Sequence, residues 1–159
     1  MKFYGEVDSE GKNVNSLGRT IFSPEKRVIV FDVDDLLLLH KRNGNGGMRD
    51  VLHSQAKYVV RQALGSFDKV VFWTGVSSSL GYLKGCPFDE VHQRIEGGLV
   101  IGGNLIKDLG MISRSHNSNV VAMQDEMGEI TFEPLNRVVQ VAGKDNLISR
   151  YKDALRMVH

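Results

Sequence analysis

One cysteine, Cys86, stands in a chain of 159 residues, so no internal disulfide can form and a thiolate metal cage is excluded. That suits a reducing compartment. The five histidines, at 40, 53, 92, 116 and 159, lack the spacing of a metal site and read as surface or helix residues. No sign of charge dominates. The formal net charge is +1, which gives no electrostatic ground for a nucleic acid or a membrane surface as the default partner. Lys41-Arg42 is too short to make a basic patch. No apolar run approaches the ~20 residues of a membrane span, and Met1-Lys2-Phe3-Tyr4-Gly5 has no signal-peptide core. A soluble, intracellular chain with no membrane partner is the expectation. There is no internal repeat.

What is present is ordinary globular material, 42% hydrophobic and 25% charged, enough for one domain over residues 1–159. Residues 1–26 are polar and glycine-punctuated and read as a peripheral arm or small hairpin, with a turn at Asp8-Ser9-Glu10-Gly11-Lys12. Short apolar, β-branched runs at 27–31, 69–73, 119–123 and 138–141 read as buried strands, and 91–95 and 99–101 as further short ones. Between them the spacing predicts a helix from Asp50 to Leu64 capped by Gly65, a short helix from Ser77 toward Lys84, and a closing helix from Asn146 to Val158. Strands alternating with helices predict an α/β fold, a parallel sheet covered on both faces.

The most informative stretch is Val28-Ile29-Val30-Phe31 running into Asp32-Val33-Asp34-Asp35. Carboxylates at the carboxyl end of a parallel strand lie where open α/β sheets bind ligands. So close together they cannot all ionise cheaply without a cation, which points to a hard metal such as magnesium. A solvated acidic turn is the plain alternative for a lone pair of aspartates. Two further buried strands also end in polar chemistry, at Thr74-Gly75 and at Gln124-Asp125, and Lys107 lies shortly before the second. In a parallel sheet these ends share one edge. Together they supply a nucleophile, a proton donor, a metal site and partners for phosphoryl oxygens. Taken singly, Thr74 is as easily a strand-end residue and Lys107 a solvated lysine. Trp73, Phe72, Met111, Met123 and Met127 read as packing residues and Cys86 as a small hydrophobe.

Four segments in order, Asp32-Val33-Asp34-Asp35-Leu36-Leu37, Val71-Phe72-Trp73-Thr74, Gly103 to Leu109 with Lys107-Asp108-Leu109, and Val120 to Asp125, resemble the haloacid-dehalogenase-like phosphohydrolases. They are most similar to the branch containing the RNA polymerase II C-terminal-domain phosphatases. The resemblance runs on through Phe132-Glu133-Pro134 and Asn136 into the last helix, covering about 27–155. It implies a Rossmann-like three-layer fold and Mg2+. Asp32 would be the nucleophile and a metal ligand, and Asp34 the general acid and then base, with its backbone carbonyl on the metal. Thr74 and the Gly75 N–H would hold phosphoryl oxygens, Lys107 would offset charge, and Asp125 would complete the metal site.

The sequence departs from that pattern in places. Leu36 stands where Thr or Val is usual and still packs as a hydrophobe; Gln124 replaces an acidic residue that helps orient the lysine. Arg49 lacks the proline that follows the corresponding arginine, and the short interval before the first helix leaves the β insertion there absent or reduced. Only about thirty residues separate Thr74 from Lys107, too few for a large cap domain. An uncapped crevice favours a phosphorylated macromolecule, a protein before a nucleic acid. The expected activity is a magnesium-dependent phosphomonoesterase working through an aspartyl-phosphate. The alternatives are a weak or inactive docking module on the same fold and a polynucleotide-end phosphatase.

Overall fold

The computed structural model describes residues 6–7, 13–14, 26–74, 83, 90–93, 100–101, 104–105, 107–110, 112, 118–125, 132–142 and 146–158. Nine elements organise them: β1 (Lys26–Asp32), β2 (Leu38–Arg42), β3 (Met48–Leu52), α1 (Ala56–Ser66), β4 (Lys69–Thr74), β5 (Glu90–Gln93), β6 (Ser118–Asp125), β7 (Val138–Val141) and α2 (Leu147–Met157). Five of the strands form one sheet in the order β7-β6-β1-β4-β5, all parallel. The first core strand therefore lies in the middle, and the chain grows outward from it, first to one side and then to the other.

Alternation along β1 explains why both faces are covered. Ile29, Phe31 and Val33 join Val70, Phe72, Val121 and Met123 in the cluster that α1 and α2 close with Ala56, Val59, Val60, Ala63, Leu147, Tyr151 and Ala154. Val28 and Val30 point the other way, with Val71, Trp73, Val120 and Ala122, and are covered by Leu109 and Ile112. Successive side chains leave a strand on opposite faces, so a run apolar at every position belongs in the middle of such a sandwich. The described residues form this three-layer α/β arrangement and no large cap. No helix among them is long and apolar enough to cross a membrane.

Polar contacts fix how the elements meet. Asp68 joins the start of β1 to the start of β4: its backbone N–H donates to the Arg27 carbonyl (2.9 Å), and its Oδ2 accepts from the Arg27 N–H (2.8 Å). Asn146 caps α2 through the Ser149 N–H, as its position before the apolar run implies. The same helix start is held from across the core, where Gln55 Oε1 accepts from the Ile148 N–H at 3.1 Å.

Two expectations need correction. The first helix begins at Ala56, because Asp50, Val51 and Leu52 are taken up by β3. It also runs through Gly65 to Ser66 and ends at Phe67, whose N–H donates to the Ala63 carbonyl and whose ring is buried beside Tyr151. Burial of Phe67, rather than a glycine cap, sets that end. The interval before α1 carries one short hairpin, β2 paired antiparallel with β3, so the β insertion is reduced rather than absent. Its turn closes through the Asn43 and Gly46 N–H groups, and Gly46 takes the positive φ of 84° that the turn requires. In the N-terminal segment Glu6–Val7 pairs with Asn13–Val14 as a small hairpin, in line with the sequence. Val100–Ile101 likewise pairs antiparallel with Asn104–Leu105. The expected helix from Ser77 lies outside the described residues, except for buried Leu83.

Candidate active site

The site is built at the carboxyl ends of β1, β4 and β6, three neighbours in the sheet. Asp32 closes β1, in register with Trp73 of β4, and is buried. Thr74 closes β4 with no exposed surface, and Asp125 closes β6 with 8% exposed. The chain reverses direction of growth between β1 and β6, and a crevice outside the strand ends at such a switch point is where open α/β sheets place ligands.

Past Asp32 the chain turns tightly. The Val33 N–H still donates to the Trp73 carbonyl, and then the Leu37 and Leu38 N–H groups both donate to the Val33 carbonyl. Val33, Leu36 and Leu37 are the anchors of this turn, all buried in the core, so the polar residues between them are thrown outward. Leu36 thus packs as its hydrophobic character implies. Asp34 is half-buried, and its Oδ2 accepts a hydrogen bond from the Thr74 hydroxyl at 2.8 Å. Asp35 follows with φ of 64° and donates its N–H to the Leu38 carbonyl. Aspartate tolerates this left-handed backbone better than most side chains.

Electrostatics tie these groups into one field. The Asp35 carboxyl is pushed above its usual range by burial first; the Asp125, Asp34 and Asp50 carboxylates add to the rise, and His40 opposes it. Buried carboxylates at Asp32 and Asp125 are costly unless cations or donors answer them. Carboxylate oxygens are the donors that Mg2+ prefers, and magnesium is bound through few protein oxygens. Among the described residues no group of three or more His, Cys, Asp or Glu side chains is arranged to hold a metal ion. The set that the family resemblance implies needs only two carboxylate side chains, from Asp32 and Asp125, together with the Asp34 carbonyl. By donor chemistry alone these are hard oxygen ligands at and beside neighbouring strand ends, the kind such a cation takes.

Lys107 lies in a two-residue strand, Lys107–Asp108, paired parallel with Phe132–Glu133. This joins two segments that the sequence resemblance had named separately. Asp108 Oδ1 accepts from the Gly110 N–H at 2.8 Å, and buried Leu109 anchors the segment against the second face of the sheet. The Lys107 side chain and Gly75 lie outside the described residues. Gln124 is buried beside Asp125 on β6.

Sequence reasoning missed His40. It stands on β2, where its Nδ1 bonds Oδ1 of its cross-strand partner Asp50 and its Nε2 lies 3.8 Å from Asp35 Oδ1. No signal in the sequence pointed to it, since its partner Asp50 was assigned to a helix start. His53, also outside any helix, accepts from the Gln55 N–H at the entrance to α1.

No family model matches the sequence, and no curated protein matches it in sequence. In structure the chain is similar to a solved protein from Vibrio cholerae assigned as a 3-deoxy-D-manno-octulosonate 8-phosphate phosphatase. The TM-score is 0.50 with 13% identity, over 84% of this chain and 83% of that one. At that identity the likeness bears on the fold alone, the three-layer α/β arrangement described above. It does not single out the polymerase C-terminal-domain phosphatase branch.

Proposed function

We propose that this chain is a magnesium-dependent phosphomonoesterase of the haloacid-dehalogenase type, acting through Asp32. One observation carries the reading: Asp32, Thr74 and Asp125 end three adjacent parallel strands, with Asp34 hydrogen-bonded to Thr74 across the crevice. The similarity in fold to a protein assigned as a phosphatase supports it. So does the order of the four sequence segments, which favours the C-terminal-domain phosphatase branch.

In this reading an Asp32 carboxylate oxygen attacks phosphorus as the ester bond to the substrate oxygen breaks. Asp34 gives its proton to the departing alkoxide. A water then attacks the aspartyl-phosphate, losing a proton to Asp34, and inorganic phosphate leaves with Asp32 and protonated Asp34 restored. The Thr74 hydroxyl, which donates to Asp34 in this structure, would turn to a phosphoryl oxygen when one is bound. The Gly75 N–H and Lys107 would hold the others. Magnesium, held by Asp32, Asp125 and the Asp34 carbonyl, would supply positive charge to offset that of the phosphoryl oxygens. The interval of about thirty residues between Thr74 and Lys107, short for a large cap, supports a substrate too large to be enclosed, a phosphorylated protein before a nucleic acid.

Hydrolysis of para-nitrophenyl phosphate with magnesium tests the reading. Wild type should turn over, while Asp32→Asn loses about a thousandfold or more and Asp34→Asn also falls steeply. Equal rates in all three proteins would end the enzymatic reading and favour a docking module on the same fold.

A further inference from the structure

We propose that His40 is a positioning residue for the candidate catalytic turn: by joining Asp50 of the hairpin to Asp35, it fixes the neighbouring Asp34 against Thr74. The inference rests on the phosphatase reading and adds to it a residue from an element that reading leaves unused.

The ring uses both nitrogens, on opposite sides. Nδ1 bonds Asp50 Oδ1 on β3, and Nε2 lies 3.8 Å from Asp35 Oδ1 in the turn. An imidazolium has a donor at each nitrogen, so both contacts are favourable together only for the protonated ring. The charged groups facing it are Asp50 from β3 and Asp35 and Asp34 from the turn. Burial alone would lower its pKa, but the Asp50 bond and these carboxylates outweigh that and raise it. The ring thus lies where several carboxylates gather, and they favour its protonated form.

What the bridge holds is a single peptide unit. Asp35 is the one non-glycine residue with positive φ among the described residues. Such a backbone costs about 1–3 kcal/mol and persists only where its surroundings over-determine it. Here the Asp35 N–H donates to the Leu38 carbonyl, and its carboxylate lies 3.8 Å from His40 Nε2, within ion-pair range. The peptide between Asp34 and Asp35 carries the Asp34 carbonyl, so fixing Asp35 aims that oxygen and, one bond back, the Asp34 side chain. The hairpin serves as the support from which the turn is held.

The test compares wild type with His40→Phe, which keeps a ring and removes both nitrogens. Asp50→Asn serves as a second variant that weakens the anchor and leaves the histidine in place. With para-nitrophenyl phosphate and magnesium, both variants should lose about tenfold or more in kcat, with KM within about twofold of wild type. In the metal-free proteins, the backbone amide resonances of Asp34, Asp35 and Thr74 should shift in both variants while those of α2 stay in place. A kcat close to wild type, or unmoved Asp34 and Thr74 amides, overturns the proposal. A wild type with no turnover would remove the phosphatase reading instead, and the amide comparison would still decide whether His40 holds the turn.

Discussion

Thr74 shows how much a single hydroxyl has to do here. It is fully buried at the end of β4, and its hydroxyl donates to Asp34, the carboxylate that changes protonation in the proposed reaction. Thr74→Val replaces that hydroxyl with a methyl group and leaves the strand intact. A hydrogen bond to a charged group contributes about 1.5–3 kcal/mol, so kcat/KM should fall about ten- to a hundredfold, read by steady-state kinetics on para-nitrophenyl phosphate. Unchanged kinetics would remove Thr74 from the machinery. At this scale the sequence was legible where carboxylates or a threonine interrupt a run of buried β-branched residues, as at Asp32, Thr74 and Asp125. It was opaque at His40, because the partners that give the ring its meaning arrive through a hairpin turn and a left-handed residue.

Among the elements, the β2–β3 hairpin resisted prediction most, for a physical reason. Its outer positions, Lys41, Arg42, Arg49 and Asp50, carry charge instead of alternating apolar residues, so neither strand announces itself. Its register sets Lys41 directly opposite Arg49. Like charges facing each other across an antiparallel pair are destabilising, and opposite ones contribute roughly 0.2–1 kcal/mol. Arg49→Glu should therefore stabilise the chain by that order, measured by denaturant unfolding and diminished by added salt. A loss of stability would mean that the arginine has a role the pairing does not show. The boundaries of α1 were misjudged for a related reason: Gly65 resembles a helix stop locally, but the pull of buried Phe67 on the following residues carries the helix past it.

For the molecule as a whole, a parallel sheet was implied by the alternation of apolar runs with helical spacing, and the observed five-stranded sheet is parallel throughout, its strand order being set by the fold. The relation of the lysine segment to the rest was not legible, because its pairing with Phe132–Glu133 spans residues far apart in the chain. A ligand that binds only the folded crevice must stabilise the entire fold. Magnesium with beryllofluoride, a mimic of the phosphorylated aspartate, at about a hundred times its Kd should add about 2.7 kcal/mol, an upward shift of roughly 5–10 °C in Tm. Asp32→Asn should abolish the shift. A wild-type Tm indifferent to both additives would count against a phosphoryl site.

The middle position of β1 has a consequence for biogenesis. Its neighbour on one side, β4, ends at residue 74, but its neighbour on the other, β6, begins at residue 118. Asp32 is therefore translated early and waits beside half a sheet until Asp125 has been made. Pairing across so long an interval is intrinsically slow and leaves an open strand edge in the meantime. Nascent chains stalled before residue 118 should thus be devoid of metal and phosphate affinity and prone to aggregate, gaining both competence and solubility once β6 docks.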